Sequence, residues 1–162
     1  MKNFKGLVLV AAAALFFMAG CVVAQETGEK AKDFTLPDIN GRSVSLSQYQ
    51  GKVVILDFFA DWCPPCRQEV PDFIDLERDY GNKGFSMIGI AVVGLEDAKR
   101  FAQETGINYP VLIDDGNVSG IYGPIRSIPT TFVIDKSGNI AKKYIGYRPK
   151  ATFEADIQEL LK

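Results

Sequence analysis

The chain has 162 residues, a formal net charge of −2, and a composition of 47% hydrophobic and 23% charged residues, the balance of one compact soluble domain. Its 18 Lys and Arg residues are scattered along the chain, which leaves no basic footprint for DNA or RNA. Histidine is absent. That removes the commonest general base and the commonest metal ligand, and it disfavours serine-histidine and cysteine-histidine hydrolases, zinc hydrolases and histidine-ligated haem.

At the N-terminus, Lys2 and Lys5 precede an apolar run from Leu7 to Ala19, a pattern too short for a comfortable membrane span and typical of an export signal. The run ends in Met18-Ala19-Gly20-Cys21, which resembles the lipobox of bacterial lipoproteins, with Met where Leu is usual. There the cysteine is lipidated and becomes the mature N-terminus. Two alternatives stand beside it: cleavage after Ala24, or retention of the segment as an uncleaved anchor. Residues 1–24 are therefore read as a signal peptide, lipoprotein signal or membrane anchor. Residues 25–32 are read as a polar tether and residues 33–162 as the folded domain.

Asp33 to Leu36 and Ser43 to Ser45 flank an Asn40-Gly41 step, which predicts a small β-hairpin. Val53 to Phe59 and Phe85 to Val93 are continuous apolar runs, as in strands buried on both faces. Between them, Pro64 to Tyr80 has helical spacing, with a kink expected at Pro71 and a stop at Gly81. A helix over Glu96 to Thr105, a strand at Val111 to Ile113 and a helical turn near Val118 to Tyr122 follow. Thr131 to Asp135 and Ile140 to Tyr147 flank the turn Lys136 to Asn139 as a second hairpin. Lys150 to Leu161 closes the chain as an amphipathic helix with Phe153, Ile157, Leu160 and Leu161 on its apolar side. The fold class is α/β, a central mixed sheet with helices on both faces.

Cys63 and Cys66 sit where the first buried strand hands over to a helix. A thiol there ionises readily, because unpaired N–H groups and the helix dipole favour its anion. Cys63 is the candidate nucleophile. Cys66, one turn later, is placed to resolve a mixed disulfide. Pro64 and Pro65 are tolerated in a first helical turn and stiffen the loop between the sulfurs. A zinc site would need about four ligands, and only Cys21 and carboxylates could join the pair, so no metal is assigned.

These residues resemble the thioredoxin superfamily, and within it the extracytoplasmic branch of TlpA, ResA and CcmG-type proteins. The resemblance covers about residues 30–162. It rests on Phe58-Phe59-Ala60-Asp61-Trp62-Cys63-Pro64-Pro65-Cys66, on Pro71, on Ile128-Pro129-Thr130-Thr131-Phe132 and on Ile134 to Gly138. It implies a redox-active Cys63–Cys66 disulfide. It also implies a cis proline at Pro129 whose flanking residues, Ile128 and Thr130, help to bind the partner polypeptide. Asp57 matches the buried aspartate of thioredoxin that assists proton transfer at the resolving cysteine, with capping of a local hydrogen bond as the alternative. Glu69 matches the active-site glutamate of the ResA-like branch, with a solvated helix residue near the positive terminus as the alternative. Many members of that branch are neutral where this chain has Asp57. Trp62 and Phe59 are candidates for an apolar rim, Phe59 equally for core, and residues 122–126 are one residue longer than in common members.

The helix and strand expected over residues 96–113 are the mark of the TlpA-like branch. The resemblance therefore implies a reductant of disulfides in exported proteins, apocytochrome c among the candidates, recharged by a membrane thiol-disulfide carrier and needing no cofactor. Two alternatives remain open. One is a thiol peroxidase, from the likeness of Asp33-Phe34-Thr35-Leu36-Pro37 to the N-terminal strand of peroxiredoxins; the other is a metallochaperone of the same fold.

Overall fold

The computed structural model describes residues 28–162. The export segment, Cys21 and the first residues of the tether lie outside the described residues. From Gly28 onward the stretch read as a tether is already tied to the domain. The N–H of Gly28 donates to the Ile140 carbonyl and that of Ala31 to the Gly138 carbonyl, each at 3.0 Å, and Lys30 bridges antiparallel to Asn139. Its polar composition concealed this, because backbone pairing requires no apolar side chain.

In chain order the elements are a hairpin of β1 (Thr35–Pro37) and β2 (Ser43–Ser45), then β3 (Val53–Phe59), α1 (Pro64–Tyr80), β4 (Phe85–Ala91), α2 (Leu95–Thr105), β5 (Val111–Ile113), α3 (Asn117–Ile121), β6 (Thr130–Ile134), β7 (Ile140–Ile145) and α4 (Lys150–Leu161). The main sheet runs β5-β4-β3-β6-β7. β3 is parallel to β4, and β4 to β5, while β6 is antiparallel to both β3 and β7. Parallel neighbours need long crossovers, which α1 and α2 supply. The mixed α/β architecture is the one the sequence predicts.

Every residue of β3 is buried, and strand alternation divides them between two cores. Val53, Ile55 and Phe59 face Val70, Phe73 and Leu76 of α1, Phe101 of α2, and Phe153 and Ile157 of α4. Val54, Leu56 and Phe58 face the β1–β2 hairpin and Val118 of the five-residue α3. Both faces carry helix, but unequally.

Two strands end earlier than expected. β4 ends at Ala91 rather than Val93. β7 ends at Ile145 rather than Tyr147, because Gly146 takes a left-handed φ of 79° and turns its N–H back to the Pro129 carbonyl at 2.8 Å. α1 is continuous through Pro71; the residue is exposed, so water can take the bond that its missing N–H leaves open. On α4, Leu160 and Leu161 are only partly buried, and Asp156 is buried instead, accepting the Tyr144 hydroxyl at 2.7 Å.

Gly89 stands opposite Asp57 in the β3–β4 register. A Cβ there would lie 2.9 Å from Cε1 of Phe59 and 3.4 Å from Cε2 of Tyr109. Phe59 cannot retreat freely, since its ring packs on Phe101 with centroids 5.8 Å apart. Gly89→Ala is expected to lower stability by roughly 1–3 kcal/mol, seen as a lower urea midpoint; an unchanged midpoint would mean that the ring yields.

Candidate active site

β3 delivers the chain to a tight turn at residues 60–62, and α1 begins at Pro64. Cys63 is its N-cap, with extended backbone, and Sγ accepts the Cys66 N–H at 3.3 Å. Pro64 and Pro65 have no N–H to offer. The Arg67 N–H is spent on the Cys63 carbonyl at 3.0 Å. The Cys66 N–H is thus the one first-turn backbone donor that reaches the sulfur. Cys63 and Cys66 are joined in a disulfide with their Cα atoms 5.3 Å apart.

The loop before β6 forms the opposite wall. The Ile128–Pro129 peptide is cis, as the family resemblance implies, and the Ile128 carbonyl oxygen lies 3.7 Å from Cys63 Sγ. The Pro129 carbonyl is already occupied by the Gly146 N–H. The Thr130 side chain is buried and donates to the Ser127 carbonyl at 2.7 Å, so Thr130 offers the site only its backbone. Trp62 is 68% exposed beside the disulfide, whereas Phe59 is core.

Asp57 projects from β3 toward α1, by the same alternation that turns Ile55 and Phe59 that way. Its Oδ1 accepts the Thr131 hydroxyl at 3.0 Å. Burial pushes its carboxyl up to about 7, with the Thr131 bond pulling the other way. Glu69 is not a solvated helix residue: it is wholly buried, Oε1 accepts the Arg148 N–H at 2.6 Å, and Oε2 has no hydrogen-bond partner among the described residues. Burial first, and then the charge of Asp57, push it up to about 8. An ionised carboxylate with an orphaned buried oxygen would be costly. The two acids titrate as a pair, each opposing the other's ionisation. Tyr109 completes the cluster, its hydroxyl held well above the ordinary phenol range by burial and by the charges of Asp57 and Glu69. A carboxyl poised near neutrality can both take and return a proton.

The structure thus brings Cys63, Cys66, Trp62, Ile128 and Pro129 together at one end of the sheet, with Asp57 and Glu69 below them. Sequence reasoning missed Thr131, Tyr109 and Arg148. Thr131 stood inside a motif already recognised, and its role follows only from its register opposite Asp57. Arg148 acts on Glu69 through its backbone N–H, which no side-chain pattern announces. Among the described residues no three Cys, Asp or Glu groups gather to hold a metal, and no helix is long and apolar enough to cross a membrane.

The raised Asp57 value sets a sign for stability against pH. Between its unfolded value near 3.8 and its folded value of about 7 the native state holds a proton that the unfolded chain has lost, so stability falls as pH rises through that window. The loss is on the order of 4 kcal/mol at full ionisation. Asp57→Asn should unfold at a higher urea concentration than the parent at pH 8, with the difference closing below pH ~4. Parallel midpoint curves for the two proteins would contradict the buried, proton-binding state of Asp57.

Comparison with known proteins agrees with this geometry. The model of the AhpC/TSA family matches residues 27–143. The chain is 36% identical over 137 residues to the thiol-disulfide oxidoreductase ResA of Halalkalibacterium halodurans, covering 83% of this chain and 77% of that one. It is 33% identical over 137 residues to ResA of Bacillus thuringiensis, covering 83% and 79%. Among solved structures, a thiol:disulfide interchange protein of the thioredoxin family from Chlorobium tepidum superposes with a TM-score of 0.79 at 35% identity, covering 86% of this chain and all (100%) of that one. The chain belongs to the AhpC/TSA family, within its ResA-like, thioredoxin-fold thiol-disulfide oxidoreductases.

Proposed function

We propose that this oxidoreductase works as a reductant of disulfides in exported proteins, with a cytochrome c haem-attachment pair as one substrate, and is recharged by a membrane thiol-disulfide carrier. The observation that carries the direction is the single backbone N–H on Cys63 Sγ. A helix start with more donors would stabilise the thiolate, and stabilising the reduced form makes a dithiol oxidising. Here two prolines withhold those donors, which favours giving electrons away.

In the cycle, the Cys63 thiolate attacks one sulfur of the substrate disulfide, forming a mixed disulfide and expelling one substrate thiolate. Asp57, coupled to Glu69, takes the proton of Cys66. The Cys66 thiolate then attacks Cys63 Sγ, closes the Cys63–Cys66 disulfide and releases the second substrate thiol. Two electrons pass to the substrate. Ile128, Pro129 and the backbone of Thr130 hold the partner segment, and the Ile128 N–H has no hydrogen bond among the described residues. Residues 1–24 are proposed to export the domain, and lipid on Cys21, or the uncleaved segment, to keep it beside its carrier.

The peroxidase alternative drew on Asp33 to Pro37. Asp33 and Phe34 precede β1 and Thr35 to Pro37 form it, and Phe34 and Leu36 pack into the core on the face of the sheet away from the cysteines, so they contribute nothing to this site. The metallochaperone alternative draws no support from the ligand set described above.

Cys63→Ser is expected to abolish reduction of a model protein disulfide, by a factor of about 100 or more, and Cys66→Ser to accumulate a mixed disulfide with substrate visible without reductant. A Cys63→Ser protein as fast as the parent would refute the cycle. The equilibrium potential against glutathione settles direction: a value near about −270 mV supports reduction, and one near about −120 mV would reverse it.

A further inference from the structure

Two clefts adjoin beside the disulfide, and Ile125, Arg126 and Ser127 line both. One, of about 240 Å³, runs under Trp62 and Ile128. The other, of about 330 Å³, is bounded by Thr130 of β6 and by Lys143 and Ile145 of β7. Trp62 and Ile145 are 68% and 57% exposed, so a large apolar side chain stands bare beside each cleft.

Two cations line these clefts. Arg126 makes no ion pair among the described residues. Lys143 is held over the Phe132 ring, Nζ 5.0 Å from its centroid, and has no carboxylate partner. The larger cleft contains no Asp or Glu. The smaller contains Asp114, whose Oδ1 is turned to the Ser119 N–H at 3.4 Å. Both charges are therefore open to a ligand in the larger cleft, which is bounded by Ser127 and Thr130 on either side of the cis Ile128–Pro129 peptide.

We propose that this face selects substrate. It takes an extended segment of the partner protein with an acidic side chain beside the target disulfide, the carboxylate meeting Arg126 and Lys143 while an apolar neighbour rests on Trp62. Successive side chains of an extended segment point to opposite sides, so one segment paired to the Ile128 N–H can present both. The proposal rests on the reading that the Cys63–Cys66 dithiol reduces protein disulfides.

The test uses three disulfide-bonded peptides that differ only in one residue flanking a cysteine, Glu, Gln or Lys, and reads kcat/KM with the reduced protein. Partly exposed ion pairs should favour the Glu over the Lys peptide by about three- to tenfold at low salt, and the preference should shrink toward one at about 0.5 M salt. Taking the ratio within each variant cancels any general loss of activity. Arg126→Glu is expected to invert the order, and Arg126→Gln to reduce it. Equal rates for the Glu and Lys peptides in the parent would overturn the proposal, as would an order left unchanged in both Arg126→Glu and Lys143→Glu. No reduction of the Gln peptide by the parent would overturn the reductase reading itself, and the selectivity with it.

Discussion

Burial of β3 on both faces is the constraint on which the rest depends. A strand with no solvent face cannot slip by one residue without moving its apolar set into the wrong core, so its end point is fixed. Its end point places Cys63, because only a short turn separates Phe59 from the first residue of α1. The same burial places Asp57 under the helix and denies it water. Register then supplies its one hydrogen-bond partner among the described residues, since Thr131 of β6 is paired directly opposite. Sulfur, acid and hydroxyl are consequences of one strand.

Keeping two carboxyl groups in that interior costs stability that the surrounding core must offset. In the core on that face of the sheet, Phe73 and Phe153 have ring centroids 5.1 Å apart, and Tyr144 and Phe153 5.5 Å. The orphaned Oε2 of Glu69 is the clearest unrelieved cost. A wholly structural site would gain by replacing that glutamate with an apolar residue. The arrangement fits the proposed cycle, in which a buried carboxyl takes the proton of Cys66.

Most of the fold was legible because its elements advertise themselves. The seven-residue apolar run of β3 and the proline-led α1 appear at the expected positions to the residue. The strand that ends early at Ile145 was not legible, because Gly146 stops it through a bond to a proline that is distant in sequence but adjacent in space. At the site, Cys63, Cys66 and Pro129 were found from motif and placement. Glu69 was left undecided, since a carboxylate near a helix N-terminus is favourable at the surface and its inward direction depends on α4's approach through Arg148. Residues recruited through tertiary contact, such as Tyr109 and Arg148, leave no trace in local pattern.

The segment over α2 and β5 does more than lengthen the chain. Phe101 of α2 packs on Phe59 of β3 and carries the Arg67 guanidinium over its ring at 5.0 Å. Arg67 in turn donates to the Asp61 carbonyl at 3.0 Å, while Arg100 of α2 reaches the Asp61 carboxylate at 3.4 Å. Exposed ion pairs of this kind contribute little singly, but these converge on the turn that presents Trp62. A turn free to collapse would bury that tryptophan against the sheet to hide its apolar surface. Bracing from α2 holds the turn on which Trp62 stands 68% exposed, next in the chain to Cys63.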